Sequence, residues 1–300
     1  MKIPVSALSP EGWALSGSDT QGILSKIKKL CVDLNVHIGS KPFFGVKTGF
    51  NNAFIIDKVT RDRLIARDPR CAEIINPLVV GKDIKRYHIH FEDRYLILSR
   101  IGISIESYPA IFEHLKRFQP QLQKRWDKGN HWWELRACDY YDKFEKPKII
   151  YPDISTTCRF TLDRKGYFSA NTTYFIPGDD TYLLGILNSK LGQFFFSQVC
   201  AGLEGGGSTY LRFLGQYLEK FPVRPINFSD PADKIRHDRM VQSVEQMLSL
   251  HKQLNVGKTT HEKTALQRQI DATDRQIDQL VYELYELTDE EIRIVEESGP

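Results

Sequence analysis

Long apolar runs and paired cysteines are both missing from this 300-residue sequence. No apolar stretch approaches the ~20 residues that cross a bilayer, and the opening MKIPVSALSPEGW has no apolar signal core. The cysteines are odd in number, widely spaced and without a Cys-x-x-Cys pair: Cys31, Cys71, Cys138, Cys158 and Cys200. This spacing argues against a disulfide framework and a cysteine zinc module. We therefore expect a cytoplasmic protein with no membrane partner.

Recognisable cofactor loops are missing as well. The glycines of AGLEGGGSTY follow a predicted helix rather than a strand, so they do not match a dinucleotide-binding loop. Gly257-Lys258-Thr259 ends like a phosphate-binding loop, but Lys252 occupies the position of its first glycine. His88 and His90 would share one strand face, yet no carboxylate or cysteine cluster accompanies them. We expect no cofactor and no metal site in this chain.

One catalytic pattern is present and stays open as an alternative. Pro152-Asp153 followed by Asp163-Arg164-Lys165 satisfies the PD…(D/E)xK spacing of many metal-dependent nucleases. In such a nuclease, Asp153 and Asp163 would hold Mg²⁺ while Lys165 lies beside the attacking water. The same residues also suit a solvated hairpin turn between two strands, and we favour that interpretation.

Charge is distributed unevenly along the chain. Residues 229–300 hold 9 Lys/Arg and 15 Asp/Glu, a net charge of −6, whereas the preceding residues carry a net charge of +9. All four tryptophans lie in the basic part. A basic body suits a polyanionic partner, and the acidic tail suits a contact with protein.

Apolar spacing predicts an α+β fold in three parts. Residues 1–42 form a lead-in with one amphipathic helix, 43–228 form a mixed or antiparallel-sheet body with flanking helices, and 229–300 form an antiparallel helical hairpin for docking or dimerisation. Body strands are predicted at 43–46, 53–56, 95–99, 148–151, 160–162 and 172–176, with a hairpin turn at 163–166. Single helices are predicted over 108–126 and 181–199.

The tail carries clear helix-start signals and an apolar seam. Asp230 precedes Pro231, and Thr259 and Thr288 each stand three residues before a glutamate, as N-cap residues do. The seam of the second tail helix alternates steps of four and three: Leu266, Ile270, Thr273, Ile277, Leu280, Leu284 and Leu287. At about three heptads the seam is short for a free coiled coil, so we expect it to dock on the body. A helical assembly scaffold without any DNA role stays open as a second alternative.

The segment GVKTGFNNAFIID, residues 45–57, carries the richest recognition chemistry. Lys47 can bind a phosphate, while Thr48, Asn51 and Asn52 can donate to and accept from base edges on a turn made tight by glycine. Other mixtures of cations with polar or aromatic residues extend the predicted DNA-binding set: Lys82, Lys85, Arg86, Arg136, Arg159, Arg164, Lys165, Ser208, Thr209 and Arg212.

This segment and its successors resemble a known family in their order. GVKTGFNNAFIID is followed by PLVVGKDIKRYHI, RYLILSR, HWWELR, KPKIIYPDIS, NTTYFI, YLLGILNSKLGQFFF and KFPVRPI. The succession, over about 43–226, resembles the C-terminal specificity domain of TaqI-like adenine DNA methyltransferases and type IIG restriction–modification enzymes. The tail IDQLVYELYELTDEEIRIVEE resembles the helix that ends many type IIG enzymes.

The resemblance implies a target-recognition domain that reads double-stranded DNA. It also implies a methyltransferase or endonuclease domain or subunit as partner, with S-adenosylmethionine bound there. An adenine methyltransferase needs an Asn/Asp-Pro-Pro-aromatic tetrapeptide, and Asn76-Pro77-Leu78-Val79 lacks the second proline and the aromatic residue. We therefore expect that the catalytic half lies outside this sequence, which is either a fragment or a separate specificity subunit.

Overall fold

A computed structural model describes residues 18–205 and 208–298. Its helices are α1 (Ser18–Leu30), α2 (Leu34–His37), α3 (Asn51–Phe54), α4 (Lys58–Arg67), α5 (Pro109–Lys116), α6 (Gln119–Lys124), α7 (Thr181–Asn188), α8 (Lys190–Val199), α9 (Gly215–Leu218), α10 (Pro231–Val256), α11 (Thr260–Leu284) and α12 (Asp289–Glu297). No helix within those described ranges combines the length and apolarity that crossing a membrane requires.

The strands are short and belong to several sheets. They are β1 (Val32–Asp33), β2 (Phe43–Phe44), β3 (Ile55–Asp57), β4 (Ile75–Val79), β5 (Ile84–Lys85), β6 (His88–Ile89), β7 (Arg94–Ile97), β8 (Lys148–Pro152), β9 (Ile154–Ser155), β10 (Thr161–Asp163), β11 (Phe168–Ser169), β12 (Thr173–Pro177), β13 (Gly202–Gly205), β14 (Ser208–Arg212) and β15 (Pro222–Val223). The predicted α+β class is confirmed, with mixed and antiparallel sheets flanked by helices.

Two four-stranded sheets form the centre of the body. The first has the order β10-β8-β12-β2 and is antiparallel throughout. The second has the order β11-β4-β7-β3, with β11 parallel to β4 and the other pairs antiparallel. A bridge between Val46 and Ala170 joins the two sheets. Residues 45–57, which the sequence predicts to contact DNA, therefore start at this junction.

The first sheet separates two hydrophobic cores. Ile149 and Tyr151 of β8 face a core shared with the tail helices, whereas Ile150 between them faces a core shared with the second sheet and α5. We call these the tail-side core and the loop-side core. Successive strand residues point to opposite faces, so burial of both faces explains the uninterrupted apolar run in KIIYP.

The tail helices complete the tail-side core. Leu266, Ile270, Thr273, Ile277, Leu280 and Leu284 of the predicted seam are all buried, and Leu287 packs partly buried beside them. α10 and α11 pack on each other and on α7. The seam therefore faces the rest of this chain. Asp230, Thr259 and Thr288 cap α10, α11 and α12 as predicted.

Both long body helices predicted from sequence are broken. The helix predicted over 108–126 divides into α5 and α6, because Pro120 suits a helix start but not a helix interior. The helix predicted over 181–199 divides at Ser189, whose extended backbone lets its hydroxyl accept from the Gly192 N–H and cap α8. Single helices at these two places were wrong predictions.

Two strand predictions also need correction. Residues 51–54 form the short helix α3, so the strand predicted at 53–56 begins instead at Ile55. The hairpin predicted around 163–166 does not form, because β10 pairs with β8 whereas β11 pairs with β4 in the other sheet. Gly166, at a φ of 74°, still turns the chain there. Long-range pairing has outweighed the local turn signal.

Candidate nucleic-acid interface

The segment from Gly45 to Asn52 is held tightly where the two sheets meet. A Cβ atom at Gly45 would lie 2.0 Å from the Ala170 carbonyl oxygen, so only glycine allows this approach. Gly49 has a φ of 68° and turns the chain into α3. The Val46 N–H donates to the Ser169 carbonyl at 2.7 Å. The segment is thus a fixed loop, and we call residues 45–52 the recognition loop.

Thr48 and Asn51 organise the interior of the recognition loop. The buried Thr48 hydroxyl donates to Asn51 Oδ1 at 2.6 Å and accepts from the Phe50 N–H at 3.2 Å. Because the Asn51 oxygen is engaged, this exposed residue offers its amide group as a donor. Thr48 therefore orients Asn51, whereas sequence reasoning had placed both in direct contact with DNA.

Arg125 anchors the recognition loop through its side chain. Sequence reasoning missed it as a site residue. Its guanidinium donates to the carbonyl oxygens of Thr48 at 2.5 Å, Trp132 at 2.7 Å and Glu134 at 2.7 Å. It also donates to the Asp127 carbonyl at 3.2 Å. Burial lowers the pKa of Arg125 to about 10. The only sequence signal was an arginine within an aromatic-rich tract.

Glu134 fixes the segment that surrounds Arg125. Its buried carboxylate accepts from the Gly102 N–H at 2.9 Å and from the His131 N–H at 2.9 Å. Residues 125–134 are thereby closed into a compact loop beside the recognition loop. Gly49 marks the contact, since a Cβ atom there would lie 2.9 Å from the Asp127 carbonyl oxygen.

An open cleft of about 470 Å³ lies on the outer side of the recognition loop. It is lined by Lys47, Thr48, Gly49, Phe50, Asn51, Asp127 and Asn171. Lys47 also lines a neighbouring cleft that contains Arg136. The exposed Asn171, which sequence reasoning did not select, brings a second amide to the cleft. The arrangement combines a cation with two amides, which is the chemistry of phosphate and base contacts.

The antiparallel ribbon β13–β14 is connected through Asp153 to Thr172, the neighbour of Asn171. The Asp153 N–H donates to the Thr172 carbonyl at 2.9 Å. The Asp153 carboxylate lies 3.4 Å from the Arg212 guanidinium. β13 and β14 pair antiparallel, and β13 is exposed on both faces. Thr209 is exposed on β14, while only the backbone of Ser208 lies within the described residues. A two-stranded ribbon of this kind fits the major groove of DNA.

Several predicted site residues are engaged in ion pairs elsewhere. Arg86 makes a bidentate pair with Asp274 of α11 at 2.5 and 2.7 Å. Arg164 lies 2.8 Å from Asp179 and 2.6 Å from Glu245. Both arginines therefore attach the acidic tail or a neighbouring loop to the body. The structure does not bring them to the cleft.

The remaining predicted cations and Asn52 also lie away from the cleft lining. Lys82 pairs with Glu92 at 2.9 Å. Lys85 is half-buried on β5, and Arg159 is half-buried as well. Lys165 is exposed, with its ammonium 6.0 Å from the ring centre of Tyr167. Asn52 lines a separate cleft with Arg63 and His114.

The nuclease pattern is occupied by structural bonds. Asp163 is fully buried and its carboxylate contacts the Lys148 ammonium at 2.5 Å. It also accepts from the N–H groups of Lys165 and Tyr167, both at 2.8 Å. Within residues 18–205 and 208–298, no group of three His, Cys, Asp or Glu side chains is placed to hold a metal ion. The geometry gives the nuclease alternative no support.

Part of this chain is similar to a known protein family. Residues 76–223 match the family model described as the TaqI-like C-terminal specificity domain. This part of the chain thus resembles a TaqI-like specificity domain. The recognition loop precedes the matched segment, but it is bonded to Arg125, Ser169 and Ala170 within that segment.

The proteins similar to this chain include a type II methyltransferase, a restriction–modification enzyme and a restriction endonuclease. The type II methyltransferase M.BstVI of Geobacillus stearothermophilus is 23% identical over 254 residues, which cover 80% of this chain and 43% of the relative. The type IIL restriction–modification enzyme MmeI, solved in complex with DNA, has a TM-score of 0.62 at 14% identity and thus shares the fold. That match covers 86% of this chain and 35% of MmeI. A type IIG restriction endonuclease, BpuSI, aligns with a TM-score of 0.47 and 14% identity, over 91% of this chain and 34% of that one.

The chain thus spans less than half the length of these relatives.

Proposed function

We propose that this chain is the sequence-specific DNA-recognition module of a restriction–modification adenine methyltransferase. The observation that carries the proposal is the cleft on the recognition loop, where Lys47, Asn51 and Asn171 converge beside a TaqI-like specificity domain. The proposed activity is binding of double-stranded DNA and involves no bond making in this chain.

The proposed interface makes two kinds of contact, one with phosphates and one with base edges. Lys47, Arg136 and Arg212 are assigned to phosphate contacts, which would fix the register of the duplex. Asn51, Asn171 and Thr209 supply short polar groups for base edges. The Arg125 bonds hold the loop in place before DNA arrives, so little ordering is required on binding.

Methyl transfer is proposed to belong to a partner domain or subunit that binds S-adenosylmethionine and flips the target adenine. The type II methyltransferase among the relatives supports this division, because the chain aligns with less than half of it. The apolar seam of the acidic tail is buried against the rest of this chain. We therefore assign the tail to stabilising the body rather than to self-association.

Substitutions in the cleft test the proposal. Lys47→Ala should weaken binding of all duplexes alike and reduce the slope of affinity against salt by about one. Asn51→Ala should instead relax sequence preference, at about 1–3 kcal/mol of discrimination for the base pair it reads. Binding can be measured by anisotropy, with preference measured by sequencing the duplexes selected from a random pool.

Matched controls are available on the tail. Lys252→Ala and Asn255→Ala change the same residue types at exposed positions of α10. Both control variants should bind DNA like the parent chain. If the Lys47 and Asn51 variants also bind and select like the parent, the recognition loop is not part of the interface. If the parent chain has no salt-sensitive affinity for DNA, the proposed function is wrong.

A further inference from the structure

Trp126 presents its whole side chain to solvent. Its side chain is 100% exposed, the highest value among the exposed large hydrophobic residues that the structure describes. Trp132 and Trp133, the other tryptophans within the described residues, are half-buried and pack against Phe112. An indole carries a large apolar surface that is usually covered. A fully exposed indole on a folded loop is therefore a candidate for contact with a partner.

The backbone beneath Trp126 is fixed. Arg125, the preceding residue, is buried and bonded to five carbonyl groups of its surroundings. On the other side, the Asp127 carbonyl accepts one of those bonds, and the Lys128 N–H donates to the Trp126 carbonyl at 3.0 Å. The indole is thus mounted on an anchored turn, which reduces the entropy that a contact would cost.

The position of this turn connects Trp126 to the proposed DNA surface. Asp127, the next residue, lines the same cleft as Lys47 and Asn51. Lys124 and Lys128 are exposed on either side of Trp126 in the sequence, and the exposed Arg136 lies 3.4 Å from Asp127. An aromatic ring among cations offers a surface that can insert at base steps of a duplex and charges that can contact its phosphates.

We propose that Trp126 stacks on bases of the bound duplex at the edge of the recognition-loop cleft. This inference rests on the proposed function and adds a specific contact to it. Apolar side chains of DNA-binding proteins insert beside or between base pairs in this way. The cations around the indole select a polyanion over an apolar protein surface.

Three variants separate this role from others. Trp126→Ala should weaken binding of a random-core duplex pool on the order of tenfold, with the salt slope unchanged because no phosphate contact is lost. Trp126→Phe keeps a ring and should retain most of the affinity. Tryptophan emission of the parent should fall when duplex is added, and this change should disappear in Trp126→Phe but persist in the control Trp132→Phe.

Each outcome has a distinct meaning. Because Trp126 is fully exposed, its variants should unfold at the parent's denaturant midpoint, which shows that any loss of affinity is local. Parent-like affinity of Trp126→Ala together with persistent quenching in Trp126→Phe would overturn the stacking contact and leave DNA recognition standing. An emission change that depends on protein concentration instead of DNA would assign the indole to a second copy of the chain. A parent chain that binds no duplex overturns both proposals.

Discussion

Arg125 and Arg86 each join distant parts of the chain, but their guanidinium groups have different partners. Arg125, beside the loop-side core, bonds to main-chain carbonyls of Thr48, Asp127, Trp132 and Glu134. Arg86, at the tail, makes a bidentate pair with the Asp274 carboxylate and also bonds to the Asn188 carbonyl.

The difference appears in the pKa values of the two arginines. Burial without a bonded carboxylate lowers the pKa of Arg125 to about 10. At Arg86, burial acts in the same direction, but Tyr87 and Asp274 outweigh it and raise the pKa above its ordinary value. The proposed recognition loop is therefore held by neutral dipoles, whereas the tail is held by an ion pair. Four predictions test this contrast.

The largest effect is expected from Arg125→Met. Removing the guanidinium leaves several buried carbonyl groups without a donor, so the free energy of unfolding should fall by about 3 kcal/mol or more. DNA binding should fall with it, because the recognition loop loses its anchor. Arg136→Met, at an exposed arginine of the same region, is the control and should leave denaturant unfolding unchanged. Equal stability of both variants would contradict the anchoring role.

A pH effect is expected at the tail contact. Burial raises the pKa of Asp278, a neighbour of Arg86 and Asp274, from 3.8 to about 6. The folded state therefore binds the Asp278 proton more tightly than the unfolded state does. The stabilisation that the protonated carboxyl contributes is complete below the unfolded pKa and is lost as pH rises through about 6. Asp278→Asn should accordingly be more stable than the parent at neutral pH, by about 1–2 kcal/mol.

The advantage of Asp278→Asn should shrink as pH falls and vanish below pH 3.8. Denaturant unfolding across this range measures it. Asp271→Asn, at an exposed aspartate of the same helix, supplies the matched control and should show no such trend. A pH-independent difference between parent and Asp278→Asn would show that the carboxyl does not titrate as described.

A smaller effect is expected from the Arg86–Asp274 pair itself. Both side chains are about a third exposed, so solvent screens their attraction. A double-mutant cycle of Arg86→Met and Asp274→Asn should give a coupling energy of about 1 kcal/mol, above that of exposed surface pairs because the contact is bidentate. The exposed pair Arg293–Glu290 is the reference and should couple more weakly. A coupling energy no larger than that of Arg293–Glu290 would show that the Arg86–Asp274 pair adds no more stability than an exposed surface pair.

No effect is expected from S-adenosylmethionine. The cofactor is proposed to bind the partner, so neither the loop side nor the tail side should respond to it. Calorimetric titration should give no binding heat, and unfolding should occur at the same denaturant concentration with and without the cofactor. Micromolar binding by the isolated chain would contradict the proposed division between recognition and methyl transfer.

Sequence reasoning succeeded where the determining contacts are local. The caps at Asp230, Thr259 and Thr288 bond to N–H groups two or three residues away, so their signals lie within one helical turn. The buried seam of α11 was likewise readable from its spacing. These features placed the tail helices correctly, while the boundaries of the three predicted parts stay predictions.

Features that depend on distant partners were not readable in this way. Nothing local shows that β11 pairs with β4, which lies about ninety residues earlier in the chain. Arg125 escaped notice because its partners are carbonyl groups, which carry no residue signature. Asn171 was missed because its position beside Lys47 arises only when the two sheets meet.

The bonds of Arg125 have an evolutionary consequence. Every amino acid supplies a main-chain carbonyl, so the Arg125 bonds make no demand on which side chains stand at positions 127 and 132. An exposed cleft residue such as Asn171 can therefore change while the Arg125 support is conserved, whereas a change at Asn51 also removes the partner of the Thr48 hydroxyl. If such cleft residues read DNA as proposed, a lineage can acquire a new target sequence by single substitutions, without rebuilding its scaffold.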